Sequence, residues 1–269
     1  MSVIQQIIKC PVCDRAIATD SLPCDICQGI VSLEIAKNSN QLATFIDFHP
    51  NRQSQNLQPE SEKQKDFITQ LFDNSFLPWF YEKILPAFWI IGLRGWGGIE
   101  KEALEVSKFF GQDPKIVMDL SCGTGIMARK LVKNRFYQLI IALDYSEAML
   151  KMLIEQLDPE TIASTFENLA IVRGDAESVP LISNSVDAIY AGAAMHCWSN
   201  PQKGVAEIYR VLRPGGKIFA TTFNNFLPSQ EFHFFSIEEL WSIFQNVGFK
   251  KESLEIESEG IYLTVKGNK

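Results

Sequence analysis

The sequence predicts an α/β fold: a mostly parallel sheet of seven strands with helices on both faces, ended by an antiparallel hairpin and preceded by a small cysteine-bearing knuckle. Three observations predict it. From Ile116 onward, short apolar runs alternate with amphipathic helical patterns, the rhythm of strands laid parallel through helical crossovers. The last two strand patterns, about 249–256 and 260–267, have only the Ser258–Gly260 stretch between them. A parallel return needs roughly a dozen residues, so they form a hairpin. Finally, two Cys-x-x-Cys pairs crowd into residues 10–27, ahead of any large apolar segment.

Taken in order, residues 1–37 form the knuckle, closed by the alternating run Ile30–Ile35. Residues 38–65 turn polar, rich in Asn, Gln and Ser, with Pro50 and Pro59 interrupting regular structure, and read as a linker. Residues 66–110 form an aromatic helical arm: Phe67, Trp79, Tyr81, Phe88 and Trp96 recur at helix-compatible spacing. Within it Glu100–Phe110 carries an apolar stripe at 103, 104, 106, 109 and 110. Residues 111–269 form the main domain, with strands at Ile116–Leu120, Leu139–Leu143, Leu169–Arg173, Val186–Tyr190 and Lys217–Thr222. The intervening helices fall at 125–134, 146–157 and 201–213, and a last one runs from Ser236 to Val247, ended by Gly248.

Composition bounds the function. The chain has 269 residues, 46% of them hydrophobic, enough to bury a sizeable core. Its net charge of −7 offers no whole-molecule attraction for nucleic acid. The N-terminal residues resemble neither a secretory signal nor a transit peptide, which predicts a cytoplasmic protein without structural disulfides. The apolar stretch 76–98 is broken by Glu82, Lys83, Pro86 and Arg94, so no spanning helix of about 20 residues is expected.

The chemistry concentrates after the first main-domain strand, where Asp119-Leu-Ser-Cys-Gly-Thr-Gly125 makes a strand-to-helix turn. Ligands of open sheets bind at such carboxyl edges. Gly123, Gly125 and Ala128 also fit the dinucleotide pattern G-x-G-x-x-G/A, a rival reading. Asp119 beside the loop disfavours a pyrophosphate and attracts a cationic sulfonium and ammonium. Asp144 ends the second strand about 20 residues on, where a carboxylate can accept both ribose hydroxyls. Asp175 ends the third, placed to accept from an adenine amino group, and Ala176 leaves room for the ring.

Four ordered motifs now stand together: the glycine turn, Ala142-Leu-Asp-Tyr-Ser-Glu-Ala-Met149, Gly174-Asp-Ala-Glu-Ser-Val-Pro180 and Arg210-Val-Leu-Arg-Pro-Gly-Gly216. In order and spacing they resemble the class I S-adenosylmethionine methyltransferases over about residues 115–223. With Ala191-Gly-Ala-Ala-Met-His-Cys-Trp198 and the cysteine pairs, the chain looks most like a cyanobacterial and plant-chloroplast group of undefined acceptor. The resemblance implies a Rossmann-like fold and S-adenosyl-L-methionine as cofactor. It also implies contacts from Asp119, Ser121, Gly123, Gly125, Asp144, Tyr145, Met149, Asp175, Ala176 and Gly192. Gly123 and Gly125 would pack under the cofactor and Gly192 would line the methyl-donor end. Most class I members have glycine where this chain has Ser121.

Methyl transfer from a sulfonium is an in-line displacement that alignment and water exclusion accomplish largely without a base. His196, which follows the strand Val186–Tyr190 at the carboxyl edge, is the catalytic candidate, with a hydrogen-bonded structural histidine as the alternative. Tyr81, Trp96 and Trp198 are either acceptor-pocket lining or core, and Cys122 and Cys197 read as small buried hydrophobes. Cys10, Cys13, Cys24 and Cys27, in the pattern C-x2-C-x10-C-x2-C, suit one structural Zn2+ with no open coordination position. Paired cysteines before such a domain also resemble the zinc-bearing guanine-N1 rRNA methyltransferases, which makes RNA the competing acceptor. The acidic charge and the aromatic arm favour a small-molecule or lipidic acceptor, and the arm, though it forms no spanning helix, can touch a membrane interface. A non-catalytic, cofactor-binding scaffold is the reading from another class.

Overall fold

The computed structural model describes residue 8 and residues 32–38, 41–47, 98–157, 168–224 and 232–269. The four N-terminal cysteines, the arm over 66–97 and most of the 38–65 stretch lie outside these residues. The described elements are β1 (Ser32–Asn38), β2 (Gln41–Asp47), α1 (Gly98–Phe110), β3 (Ile116–Leu120), α2 (Ile126–Lys133), β4 (Leu139–Asp144), α3 (Glu147–Glu155), β5 (Leu169–Arg173) and β6 (Val186–Ala191). A 3-10 turn (Met195–Cys197), α4 (Pro201–Val211), β7 (Leu212–Phe223), α5 (Ile237–Val247), β8 (Leu254–Glu259) and β9 (Tyr262–Asn268) follow.

One sheet of nine strands runs β1-β2-β5-β4-β3-β6-β7-β9-β8. The seven expected strands are β3 to β9. Strands β3 to β7 are parallel, and β9 inserts antiparallel between β7 and β8. β3 is buried at every position, because helices cover both faces and a strand covered twice reads as one continuous apolar run. Val106 and Phe110 of α1, Leu131 of α2 and Leu150 of α3 pack on one face, and Ile208 of α4 and Phe244 of α5 on the other. From β3 the chain steps one way to β4 and later the other way to β6, so the crevice lies at the carboxyl ends of β3 and β6.

Three differences from the sequence expectation stand out. Gln41–Asp47, inside the polar stretch expected to be a linker, is a strand that pairs parallel with β5 and antiparallel with β1. The buried face of α1 is Gly98, Glu102, Val106 and Phe110, while Leu104, expected in the apolar stripe, is 72% exposed. β8 begins at Leu254 rather than near 249, because Lys251–Ser253 forms a 3-10 turn first.

Candidate cofactor and acceptor site

The glycine turn is organised by carboxylates from two strands. Asp144 takes the Gly123 N–H at 2.8 Å on Oδ2 and the Ser146 N–H at 2.9 Å on Oδ1. Carboxylate oxygens accept more than one hydrogen bond, so this arrangement is compatible with ribose hydroxyls at the same group. Asp119 takes the Ala128 N–H at 2.8 Å, which satisfies an orphan amide in the first turn of α2. That helix starts at Gly125 and has no side-chain cap of its own. Burial drives the Asp119 carboxyl up to about 8, opposed by the Ala128 hydrogen bond and reinforced by the charges of Asp144 and Glu102. Burial thus opposes the standing charge expected of this acid beside the loop.

The two glycines differ in what they do. Gly123 (φ +55) has nothing within 4 Å of where a side chain would begin, so its backbone faces open space that a ligand can fill. Gly125 (φ +71) has Leu153 of α3 at 2.0 Å from that point, so its bareness serves the packing of α3 against the turn. Ser121 also has positive φ, +58, and its Oγ accepts the Trp198 indole N–H at 3.0 Å. Trp198 is thus a buried strut to the turn.

Tyr145 and Met149 follow at the end of β4 and in the first turn of α3, where the Met149 N–H is capped by Ser146 Oγ. Met149 is buried and Tyr145 half-buried. Past β5, Asp175 Oδ1 accepts the Glu177 N–H at 2.8 Å, and Ala176 is buried. Glu177 in turn accepts from Ser199 Oγ and the Asn200 N–H, which ties the β5 edge to the start of α4. Asp119, Ser121, Gly123, Asp144, Asp175, Ala176 and Gly192 thus gather at the carboxyl ends of four adjacent strands.

His196 sits in the 3-10 turn after β6, ringed by Phe223 (4.9 Å between ring centroids), Phe232 (5.6 Å) and Phe234 (6.1 Å). Among the described residues its buried Nδ1 has no hydrogen-bond partner. Burial lowers its pKa to about 4, so the ring is neutral at physiological pH. The backbone carbonyl of His196 accepts the His233 N–H at 2.9 Å and joins this turn to the segment after β7. Burial pushes the Cys197 thiol up to about 12 and that of Cys122 well above its ordinary value, consistent with inert packing.

Residues 118–220 match the methyltransferase-domain family. The chain is 35% identical over 228 residues to an uncharacterised chloroplastic methyltransferase of Arabidopsis thaliana, covering 81% of this chain and 62% of that one. It is 29% identical over 188 residues to the chloroplastic 2-methyl-6-phytyl-1,4-hydroquinone methyltransferase of the same plant, covering 67% and 52%. The chain thus spans roughly half to three-fifths of these relatives' length. Among solved structures, a SAM-dependent methyltransferase from Aquifex aeolicus superposes with a TM-score of 0.54 at 21% identity, covering 71% of this chain and 97% of that one. That likeness supports the Rossmann-like methyltransferase fold.

The main site feature that motif reading missed is a buried carboxylate. Glu102 of α1, 4% exposed, accepts the hydroxyls of Tyr190 (2.7 Å), Tyr262 (2.9 Å) and Thr221 (3.1 Å). Glu102 and Tyr262 both fall outside the matched segment. A glutamate within the covered face of α1 was the only sequence signal, and it was masked by the apolar residues beside it. Among the described residues, no group of three or more His, Cys, Asp or Glu side chains is arranged to hold a metal ion.

Proposed function

We propose that this chain transfers the methyl group of S-adenosylmethionine to a small-molecule or lipidic acceptor that enters against His196. The observation that carries the reading is the open backbone at Gly123, flanked by Asp144 and the buried Asp119. A sulfonium nucleoside brings the positive charge that lets Asp119 ionise, whereas a pyrophosphate would raise its pKa further. Gly123, Asp144, Asp175 and Ala176 would hold the nucleoside, and Gly192 would border the methyl-donor end. Bound there, the cofactor supplies an electrophilic methyl carbon.

The rest is alignment and desolvation by the chain's own side chains. Phe223, Phe232 and Phe234 exclude water around His196, whose neutral imidazole can accept a proton or hydrogen bond from a hydroxyl or amine nucleophile. Aromatic walls suit an apolar acceptor better than a phosphate backbone, as does the net charge of −7. The hydroquinone named for one relative is such an acceptor. In this reading Cys10, Cys13, Cys24 and Cys27 bind a structural zinc, and the 66–110 arm covers the pocket.

The test is incubation with methyl-labelled S-adenosylmethionine and separated RNA, lipid and small-molecule extracts. Label is expected in the lipid or small-molecule fraction, and His196→Ala should lower turnover at least tenfold while S-adenosylhomocysteine binding is unchanged. Label in RNA would overturn the acceptor class. No label together with saturable S-adenosylhomocysteine binding would leave the scaffold reading, and no binding at all would end the cofactor reading.

A further inference from the structure

Three hydroxyls converge on the Glu102 carboxylate. Tyr190 Oη donates to Glu102 Oε1 at 2.7 Å and Tyr262 Oη donates to Oε2 at 2.9 Å. Thr221 Oγ1 lies 3.1 Å from Oε1 and 2.7 Å from Tyr262 Oη, and it accepts the Ala193 N–H at 2.9 Å. The set therefore joins α1, β6, β7 and β9 to the backbone of the turn that follows β6.

That turn is unusual. Ala193 has φ +47, a strained region for a residue with a side chain. Gly192 has no room for one: a Cβ there would fall 1.8 Å from Tyr190 Oη. The residues that meet this turn, Tyr190 at Gly192 and Thr221 at the Ala193 N–H, both bond to Glu102. Tyr190 is also the register partner of Asp119 on the neighbouring strand. The same carboxylate adds to the field at Asp119, where its charge and that of Asp144 both oppose ionisation.

We propose that Glu102 is a positioning residue for the methyl-donor end of the site: acting through Tyr190 and Thr221 it fixes the Gly192–Ala193 turn, and its charge favours a sulfonium over the neutral thioether left after transfer. The inference rests on the S-adenosylmethionine reading. A preorganised negative potential where positive charge sits distinguishes the two ligands by electrostatics alone, because they otherwise differ by one methyl group. A purely structural Glu102 would affect both ligands alike.

The experiment compares S-adenosylmethionine and S-adenosylhomocysteine affinities by calorimetry in the full chain and in two variants. Glu102→Gln, near-isosteric but uncharged, should weaken S-adenosylmethionine about tenfold and S-adenosylhomocysteine no more than about threefold. Thr221→Val, which removes the acceptor for Ala193 but keeps the charge, should weaken both ligands equally, by about three- to tenfold, with faster amide exchange at Ala193. Equal losses for both ligands in a Glu102→Gln chain of unchanged melting temperature would overturn the electrostatic role. Should that variant not fold, Thr221→Val decides: unchanged affinity for both ligands would overturn the proposal. Failure of the unsubstituted chain to bind either ligand is a separate result and counts against the cofactor reading itself.

Discussion

At the scale of single residues, Asp119 shows how position and protonation part company. Its place at the end of β3 follows from the motif, but its pKa of about 8 follows from burial, which no local pattern reports. Because the folded-state pKa is raised above the unfolded value of 3.8, Asp119 favours the folded state fully at low pH, and that contribution is lost as pH rises towards 8. A bound sulfonium and ammonium would offset the penalty by drawing the carboxyl into its ionised form. S-Adenosylmethionine binding at pH 7 should therefore release roughly one proton, falling towards zero above pH 9. Calorimetry in buffers of different ionisation enthalpy measures this directly, and a proton count near zero at pH 7 would contradict it. His196 was legible as a candidate because it follows β6. Its cage was not, since Phe223, Phe232 and Phe234 come from a segment some 27 residues or more downstream.

At the scale of elements, boundaries were legible where a cap or a glycine marks them. Ser236 Oγ accepts the Glu239 N–H at 3.1 Å, and Gly248 (φ 119) ends the same helix, α5. Ser236→Ala should cost about 1 kcal/mol in a denaturant melt, with little change in ligand affinity. A cost near zero would mean that packing of Leu240, Ile243 and Phe244 alone secures α5. The existence of α1 was equally legible, yet its buried face was not. Periodicity assigned Leu104 to the core, but the partner surface contains the hydroxyls of Tyr190, Thr221 and Tyr262, and a carboxylate satisfies them where leucine cannot. Which face of a helix turns inward depends on the chemistry it meets.

At the scale of the whole molecule, the β1–β2 hairpin covers what would otherwise be the outer edge of β5. Exposed edges are open to fraying and to pairing with other chains. Removing residues 1–47 should therefore speed amide exchange in Leu169–Arg173, whereas β3 and β6 in the sheet centre keep their protection. Uniform protection across all three strands would show that the hairpin adds nothing to β5. β2 carries Leu42, Ala43, Phe45 and Ile46 of its own, but the polar residues on either side of it and the prolines at 50 and 59 concealed it in the composition of the stretch.

The sequence by itself determined the alternation of strands and helices, the terminal hairpin and the glycine turn with its acids, because each is written in contiguous residues through periodicity, loop length and backbone freedom. Only the tertiary structure decided that β9 lies between β7 and β8, that Gly125 packs on Leu153, that burial raises the Asp119 pKa and that Glu102 reaches the Gly192–Ala193 turn through Tyr190 and Thr221. Those outcomes depend on burial and on partners far away in the chain, and a group's charge, packing and hydrogen bonds are settled by what surrounds it in space.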